Sequence, residues 1–469
     1  AIGMEMKRLG ICNKPLYVVP NHMVQSGQFY QEFLKLYPNA KLLVATSDDF
    51  SKNNRAKLIS KIATGDWDGI VIGHSSLIKI PVSKEFQENM MNKQIQEIED
   101  AIREYSIGRD KKMTVKKLQS ALKNQKLKLQ KLKDINQDNT VTFEELGIDQ
   151  LFIDESQNFK NLFTYTKMQN VAGVQTTSAQ KTDDLLTKIQ YIYSIRGEGK
   201  GIVFSSGTPI SNSMSELYTT QRYLQPQILR AQGIDTFDKW ASVFGEVVNS
   251  VEISPTGKGF RQKQRISRFH NVPELTSIFR QCTDVVLKNQ LNISVPKSEY
   301  HKIEIPAISA VTNYINNELL PRAKAISNKQ VEPEVDNMLK VTNDGRKAAL
   351  DIRLIDVNAK IDGPTKTSVC AENIFKIWQE TTNVKGTQLI FCDLGTPKKQ
   401  SVSNQLSVVN NIINNSTNDT DNDIDESAVD EVDLFDDTVF DVYHEIKQLL
   451  MEKGIPENEI AFIHDAKTP

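Results

Sequence analysis

The sequence contains no apolar run long enough to span a membrane, and it has few cysteines. A membrane-spanning helix needs roughly 20 consecutive apolar residues, and the first residues lack the charged head and apolar core of a signal peptide. The 469 residues include four cysteines, none of them in a C-x-x-C spacing. These absences argue against a transmembrane protein, a disulfide framework and a paired-cysteine zinc site. They predict a cytoplasmic protein that does not engage a membrane.

Basic residues are missing from one long interval, between Lys399 and Lys447. Within it, residues 400 to 437 are rich in Asp, Glu and Asn and contain few large apolar side chains. Such a segment buries too little apolar surface to offset the entropy lost on ordering the chain. The composition therefore predicts a disordered acidic loop at 400 to 437.

A phosphate-binding motif of the form G-x-x-x-x-G-K-[ST] is also absent. The stretch "RGEGKGI" (196 to 202) is similar, but it precedes a strand-like run and lacks the hydroxyl residue, so it predicts a turn. The net charge of −2 argues neither for nor against nucleic acid as a partner.

What is present is a regular alternation of short apolar runs and helical patterns. A chain of this length is expected to form two or three domains. Continuous apolar strands between helices are typical of a parallel sheet covered on both faces. The pattern predicts an α/β domain over residues 1 to 220, with strands at 15 to 20, 40 to 46, 68 to 74, 150 to 154 and 201 to 208.

A polar, proline-free insertion interrupts this domain at residues 84 to 134 and has helical periodicity. From Arg109 to Lys133 it contains ten Lys or Arg residues and a single acid, Asp110. Clustered cations gain affinity for nucleic acid by releasing counterions. The insertion is therefore either a solvated helical hairpin or a basic arm that follows phosphates, with the candidate contacts Lys123, Lys126, Lys128 and Lys131.

The rest of the chain predicts two further regions. Residues 221 to 360 have mixed helical patterns, including 237 to 248 and 335 to 355, and are expected to form a helical protrusion or linker. The run "GTQLIFCDL" (386 to 394) is strand-like and predicts a second, partial α/β unit over 361 to 469.

The stretch "QLFIDESQNFKN" (150 to 161) brings two adjacent carboxylates, Asp154 and Glu155, to the end of a buried strand. Hydrolysis of a phosphoanhydride needs one carboxylate to hold Mg²⁺ and another to orient and deprotonate water. An acid pair alone is weak evidence. The preceding strand and the "SSGTPISNSMSELY" segment (205 to 218) make it specific.

These segments resemble motifs of the Snf2-like superfamily 2 helicases and DNA translocases. "FIDESQNFKN" resembles the Walker B segment, and "VFSSGTPISNSMSELYTTQRYLQP" resembles motif III. "YVVPNHMV", "IVIGHSSL" and "TQLIFCDLGTP" resemble motif Ia, the strand and loop that follow it, and motif IV. The likeness is greatest to the large helicase proteins of phages and conjugative elements, which often carry a linked adenine methyltransferase region.

The resemblance implies a RecA-like lobe with helical insertions and a partial second RecA-like lobe. It implies ATP and Mg²⁺ as cofactors, double-stranded DNA as partner and possible linkage to a DNA methyltransferase. Asp154 would be the Mg²⁺ ligand and Glu155 the catalytic base, while Ser206, Gly207 and Thr208 would couple nucleotide state to the DNA-facing surface. His22, His74 and Ser75 would lie near the DNA path.

Two departures from the family pattern lead us to expect that the chain is inactive alone. The helical start "AIGMEMKRLG" resembles the helix that a phosphate-binding loop opens into, so that loop is expected before residue 1. The Arg finger of the second lobe is expected beyond the other end. We therefore expect a truncated ATPase core that is inactive alone. The alternative is a non-catalytic DNA-binding or scaffold remnant. A methyltransferase activity has no support, because no N-P-P-[YF] motif is present.

Overall fold

The structure is a computed structural model of the chain. It describes residues 1–51, 54–106, 112–134, 142–164, 166, 168, 171–172, 174, 179–253, 260–291, 293–328, 330–332, 334–397 and 440–463. The chain divides into two compact units, the first comprising Ala1–Glu252 with Arg261–Ile293 and the second Ile253–Phe260 with Ser294–Pro469. Within the described residues, no helix is both long and apolar enough to cross a membrane.

The first unit is built on a five-stranded parallel sheet, as the sequence predicts. Its strands lie side by side in the order β2-β3-β1-β4-β6. They are β1 (Pro15–Val19), β2 (Leu42–Ala45), β3 (Gly69–Gly73), β4 (Gln150–Ile153) and, after a short β5 (Val171–Ala172), β6 (Ile202–Phe204). All five predicted runs form strands of this sheet, so the α/β fold class is confirmed.

Alternate residues of the strands fill two apolar layers, because successive side chains of a strand point to opposite faces. Leu16 and Val18 pack with Ile70 and Leu151 on one face. Tyr17 lies between them in sequence and belongs to a separate apolar cluster on the opposite face. This two-sided burial explains why the strands are continuously apolar.

Helices cover both faces of the sheet and extend the unit. They are α1 (Ile2–Arg8), α2 (Asn21–Gln25), α3 (Gln28–Leu36), α4 (Arg55–Thr64), α5 (His74–Leu77), α6 (Lys84–Ser106), α7 (Lys112–Asp134), α8 (Gln180–Arg196), α9 (Ser215–Leu224), α10 (Pro226–Ala231), α11 (Phe237–Phe244) and α12 (Val272–Arg280). The predicted helical start of the chain is α1, and "RGEGKGI" is the turn between α8 and β6.

The described residues of the insertion at 84 to 134 form α6 and α7, which pack against each other. Its two ends are joined at the base, where Glu144 accepts hydrogen bonds from the Ser83 amide at 2.9 Å and from the Ser83 hydroxyl at 2.6 Å. Between the helices, Gln125 donates to Gln94 at 3.2 Å. The insertion is therefore a helical hairpin with a fixed base.

One part of the helical prediction is wrong. The interval 237 to 248 is not a single helix, because α11 ends at Phe244 and strand β7 (Gly245–Ile253) begins at the next residue. Gly245 weakens a helix, and the valines that follow it favour a strand. Strand β8 (Phe260–Phe269) forms a three-stranded sheet with β7 and β5. The region 221 to 360 is thus not purely helical.

The second unit contains α13 (Ser309–Tyr314), a π-helical turn (Ile315–Leu319), α14 (Leu320–Ser327), α15 (Met338–Leu350), α16 (Lys366–Thr381) and α17 (Val442–Glu452). The strand predicted at 386 to 394 does not form: the segment is irregular, and Leu389 and Phe391 are 78% and 88% exposed. An apolar run becomes a strand only where a neighbouring strand accepts and donates its backbone hydrogen bonds. The predicted acidic loop, 400 to 437, lies outside the described residues.

Candidate active site at the carboxyl edge of the sheet

The candidate site lies where the parallel strands end. Because parallel strands share a direction, their carboxyl ends meet at one edge of the sheet, where ligands of open α/β sheets bind. Asn21 follows β1, His74 follows β3, Asp154 follows β4 and Ser205 follows β6. The fold therefore brings the acid pair and the "SSGT" segment to the same edge.

Asp154 is held between two neighbouring strands. Its amide donates a hydrogen bond of 2.9 Å to the Val18 carbonyl of β1. Its Oδ1 accepts a hydrogen bond of 2.7 Å from the Ser205 hydroxyl, which follows β6. The side chain is partly exposed. One carboxylate oxygen is thus oriented by the protein while the group can still meet a ligand.

Glu155 has a left-handed backbone, with φ 48° and ψ 50°. A residue with a Cβ rarely adopts this conformation, which costs on the order of 1 kcal/mol or more and is commonly found at functional sites. Two backbone hydrogen bonds hold the peptide group that follows it: the Ser156 amide donates to the Ser205 carbonyl, and the Asn158 amide donates to the Glu155 carbonyl, both at 3.0 Å. The peptide group on the C-terminal side of Glu155 is therefore fixed at both its N–H and its carbonyl.

Gln157 connects this acid to the loop that follows β6. Its Nε2 donates to Oε2 of Glu155, and its Oε1 accepts a hydrogen bond of 2.7 Å from the Ser206 hydroxyl. The Ser206 oxygen also accepts from the Thr208 amide at 3.0 Å. A continuous hydrogen-bonded path thus runs from Glu155 to Thr208, two residues that the sequence placed in separate motifs.

The residues expected near a DNA path occupy different surroundings. His22 is exposed at the start of α2. Ser75 donates from its amide and hydroxyl to Oδ1 of Asn21 at 3.2 and 3.1 Å. A Cβ on Gly73 would lie 2.4 Å from the same oxygen, so this approach of Asn21 requires glycine. Gly207 lies in open space.

The His74 side chain contacts the backbone of Asp154, a contact that the sequence did not indicate. Its Nε2 lies 2.8 Å from the Asp154 carbonyl oxygen, and its ring meets Phe159 edge-on with centroids 5.2 Å apart. Burial lowers the pKa of His74. The neutral imidazole with a proton on Nε2 would donate to the carbonyl, and so His74 supports the backbone that precedes Glu155.

An ion pair that was not predicted from the sequence holds the loop after β6. Lys160 lies 3.1 Å from Oε1 of Glu216, and Glu216 accepts hydrogen bonds from the Ser211 amide at 2.7 Å and the Asn212 amide at 3.2 Å. Burial disfavours the charge on Glu216, but hydrogen bonds from Ser211 and Lys160 outweigh it and lower the pKa. The S-x-x-E spacing of residues 213 to 216, which is typical of a helix start, is the signal that could have identified it.

The four candidate phosphate contacts of the insertion, Lys123, Lys126, Lys128 and Lys131, are all exposed on α7, a different element from the one that carries the acid pair. Lys126 forms an ion pair of 2.8 Å with Glu99 of α6, which lowers the pKa of the Glu99 carboxyl. For Lys123, Lys128 and Lys131, no ion pair occurs with the described residues. These three charges are therefore the more available ones.

The described residues contain no group of three or more His, Cys, Asp or Glu side chains that could hold a metal ion. Mg²⁺ in phosphate-transferring sites does not need such a group, because it is bound by one or two carboxylates, water and the substrate phosphates. Asp154, with one oxygen oriented by Ser205, fits that limited role.

The chain is similar to a phage protein and matches the model of one protein family. Over 169 residues the chain is 24% identical to the "Defense against restriction protein B" of Escherichia phage P1. The aligned part is 35% of the chain and 7% of the phage protein, so the chain spans a small fraction of that relative. A family model described as a probable helicase domain matches residues 1–287, which include the sheet, the acid pair and the loop after β6. The chain belongs to this probable helicase domain family.

Proposed function

We propose that this chain is the core of an ATP-dependent helicase or translocase of the Snf2-like type, which acts on double-stranded DNA. The observation that carries the proposal is the hydrogen-bonded path from Glu155 through Gln157 to Ser206. It joins a candidate hydrolytic base to a loop that could sense nucleotide or DNA. Membership of the helicase family supports a helicase-type function and nucleic-acid binding.

Asp154 and Glu155 would have different roles in ATP hydrolysis. Asp154 would hold Mg²⁺, which when bound neutralises the phosphate oxygens. Glu155 would accept the proton from water as the water oxygen bonds to the γ-phosphorus and the bond to the ADP oxygen breaks. The fixed backbone of Glu155 would orient its carboxylate in advance of the reaction.

Ser206, Gly207 and Thr208 would couple this chemistry to DNA. A change at Glu155 reaches them through one side chain, Gln157. His22 and Ser75 lie at the same edge of the sheet and would contact DNA directly, whereas His74 would act through the Asp154 backbone. Lys123, Lys128 and Lys131, and to a lesser extent Lys126, would contact phosphates without reading bases.

The test uses a longer protein that contains this chain together with a phosphate-binding G-x-x-x-x-G-K-[ST] segment. Glu155→Gln should abolish DNA-stimulated ATP hydrolysis while ATP binding persists, because the base is lost and the phosphate site is kept. Glu145→Gln, a matched change in the turn before β4, should leave hydrolysis unchanged. Full activity of the Glu155→Gln protein would contradict the assignment.

The 469-residue chain alone should not hydrolyse ATP. It supplies the acid pair, but the charge that develops on the transferred phosphoryl group needs a phosphate-binding loop and an Arg finger. The finger alone is worth about 10³ to 10⁵ in rate. Hydrolysis by the purified 469-residue chain that is lost in Glu155→Gln would show that other groups in it bind the phosphates. A longer protein that is inert with every DNA would favour a DNA-binding or scaffold role.

A further inference from the structure

Helix α8 contacts two regions that are far apart in sequence. One is α6, the first helix of the hairpin, and the other is the short helical turn Ser156–Phe159, which begins directly after Glu155. The helix is 17 residues long, or about 25 Å at roughly 1.5 Å per residue. Leu185 and Ile189 lie on its buried side and belong to the same apolar cluster as Ile153 of β4. A single continuous helix therefore connects the base of the hairpin to the candidate site.

The base of the hairpin packs on α8 through Tyr191. The Tyr191 ring meets the Phe86 ring edge-on with centroids 5.9 Å apart, and it meets the Phe143 ring in the same way at 5.8 Å. Its hydroxyl donates a hydrogen bond of 3.3 Å to the carbonyl of Glu144, the residue whose side chain binds Ser83. Phe86 lies in the first turn of α6. A movement of this turn would therefore displace the Tyr191 side chain.

Lys188 adds a second contact with the hairpin base, one turn earlier on α8. Its side chain is fully buried and forms an ion pair with Asp184 of the same helix. Burial of a charge is costly unless the charge is paired, so Asp184 stabilises the ammonium group in its place beside Phe143. The Lys188 Nζ lies 5.8 Å from the centroid of the Phe143 ring, which is itself completely buried. The contact between the hairpin base and α8 therefore lies in the core of the first unit.

The start of α8 holds the segment that follows the acid pair. The Thr182 hydroxyl donates a hydrogen bond of 2.9 Å to the Asn161 carbonyl. The hydroxyl of the buried Tyr223 lies 3.2 Å from the Phe159 carbonyl oxygen and 3.3 Å from that of Thr182. Phe159 ends the helical turn that begins directly after Glu155. The position of this turn therefore depends on the position of the first residues of α8.

We propose that α8 transmits the binding of DNA by the hairpin to the turn that orients Glu155, with Tyr191 as the positioning residue at the hairpin end. This inference rests on the proposed function, since it assumes that the lysines of α7 bind DNA. Tyr191 and Thr182 lie about 13 Å apart along the axis of α8. Packed helices respond to ligands by shifts of about 1–2 Å. A shift of that size along α8 would alter the hydrogen bonds at Asn161 and Phe159.

The experiment measures amide hydrogen exchange of the 469-residue chain with and without saturating duplex DNA. In the wild type, DNA should change exchange in the hairpin and also at residues 156 to 161. Tyr191→Phe removes only the hydroxyl, and Tyr191→Leu removes the ring contacts as well. Both variants should bind the duplex with wild-type affinity and keep the change in the hairpin. The change at 156 to 161 should decrease by up to about fivefold in Tyr191→Phe, the equivalent of one hydrogen bond, and further in Tyr191→Leu.

Tyr37→Phe and Tyr37→Leu are the matched controls, because Tyr37 packs on the opposite face of the sheet, against Phe33 with ring centroids 5.7 Å apart. Both controls should keep the DNA-dependent change at 156 to 161. A longer protein that hydrolyses ATP provides a second measurement. There Tyr191→Phe should reduce the stimulation by DNA and leave hydrolysis without DNA unchanged, a difference that a merely structural role of Tyr191 would not produce.

Three results would overturn the role of α8 and leave the proposed function standing. They are a wild type that binds DNA without any change at 156 to 161, a change that stays at the wild-type size in both Tyr191 variants, and an equal loss in the Tyr37 controls. A loss confined to Tyr191→Leu at the wild-type melting temperature would support the role and assign it to the ring contacts. Absence of DNA binding by the wild type would overturn the nucleic-acid part of the proposed function as well.

Discussion

Ser206 donates a hydrogen bond of 2.7 Å from its hydroxyl to Oε1 of Gln157. This contact joins the loop after β6 to the turn that carries Glu155, because the same Gln157 side chain donates to the Glu155 carboxylate. The amide of Gln157 cannot shift toward one partner without disturbing the other. A displacement of Ser206 would therefore reach the Glu155 carboxylate through the Gln157 side chain.

Loss of the hydrogen bond between Ser206 and Gln157 should weaken the stimulation of ATP hydrolysis by DNA more than it weakens hydrolysis without DNA. In a longer protein that hydrolyses ATP, Ser206→Ala should reduce stimulation by DNA about fivefold, which corresponds to one hydrogen bond of about 1 kcal/mol. The hydrolysis rate without DNA should change less. Steady-state ATPase assays with and without duplex DNA measure both rates.

Ser205→Ala provides the contrast for that experiment. The Ser205 hydroxyl contacts Asp154 instead of Gln157, so its loss should lower hydrolysis with and without DNA to a similar extent. An equal loss of both rates in Ser206→Ala would assign Ser206 to the chemical step and contradict the coupling role.

The exposed lysines of α7 should contribute unequally to DNA affinity. Changing Lys123, Lys128 and Lys131 together to Gln should lower the salt slope of duplex binding by up to about 2.7, at about 0.9 per contact. Lys126→Gln alone should lower it by less than one such step, since Lys126 already pairs with Glu99. Fluorescence anisotropy across a salt series measures the slopes. If the salt slopes of these variants equal that of the wild type, the lysines of α7 do not contact DNA and form only a solvated surface.

Deletion of residues 400 to 437 should leave the fold intact. The residues that border this interval meet in the structure, where the Val442 amide donates to the Gly395 carbonyl at 3.1 Å. The Cζ atom of Arg353 also lies 4.2 Å from the centroid of the Phe440 ring. A short Gly-Ser linker can therefore replace the interval. The melting temperature by circular dichroism should change little, and a loss of several degrees would show that the interval contributes to folding.

The sheet and its acid pair could be predicted because their signals are local. Each strand is a continuous apolar run, since both faces are buried, and the run ends in polar residues at the edge where ligands bind. Asp154 and Glu155 follow β4 directly in sequence. Their position relative to the "SSGT" segment then follows from the parallel order of the strands.

The contacts around the acid pair could not be predicted, because they depend on which strands are neighbours. Ser205 reaches Asp154 only because β4 and β6 are adjacent. The same dependence explains why the strand predicted at 386 to 394 does not form, since this apolar run has no paired strand among the described residues. At β7 the error had a local cause, since Gly245 ends one periodicity and begins another within the same apolar stretch.

Glu216 should make the stability of the first unit depend on pH. Hydrogen bonds from Ser211 and Lys160 outweigh burial and hold its folded-state pKa below the ordinary value of 4.5. A lowered folded-state pKa means that the folded state binds the proton more weakly than the unfolded chain does. The ionised group therefore contributes stability that is fully present above the unfolded-state pKa and is lost as the pH falls through the folded-state pKa.

Glu216→Gln should accordingly lower the free energy of unfolding most near neutral pH, and its difference from the wild type should shrink in acid. Urea denaturation at a series of pH values measures this difference. Glu32→Gln is the control, because Glu32 pairs with Lys35 on the exposed surface of α3, where such pairs contribute at most about 1 kcal/mol. A Glu216→Gln difference that grew as the pH fell would have the wrong sign for a carboxylate stabilised by donors. The loop after β6 would then be held by contacts other than the Lys160 and Ser211 interactions with Glu216.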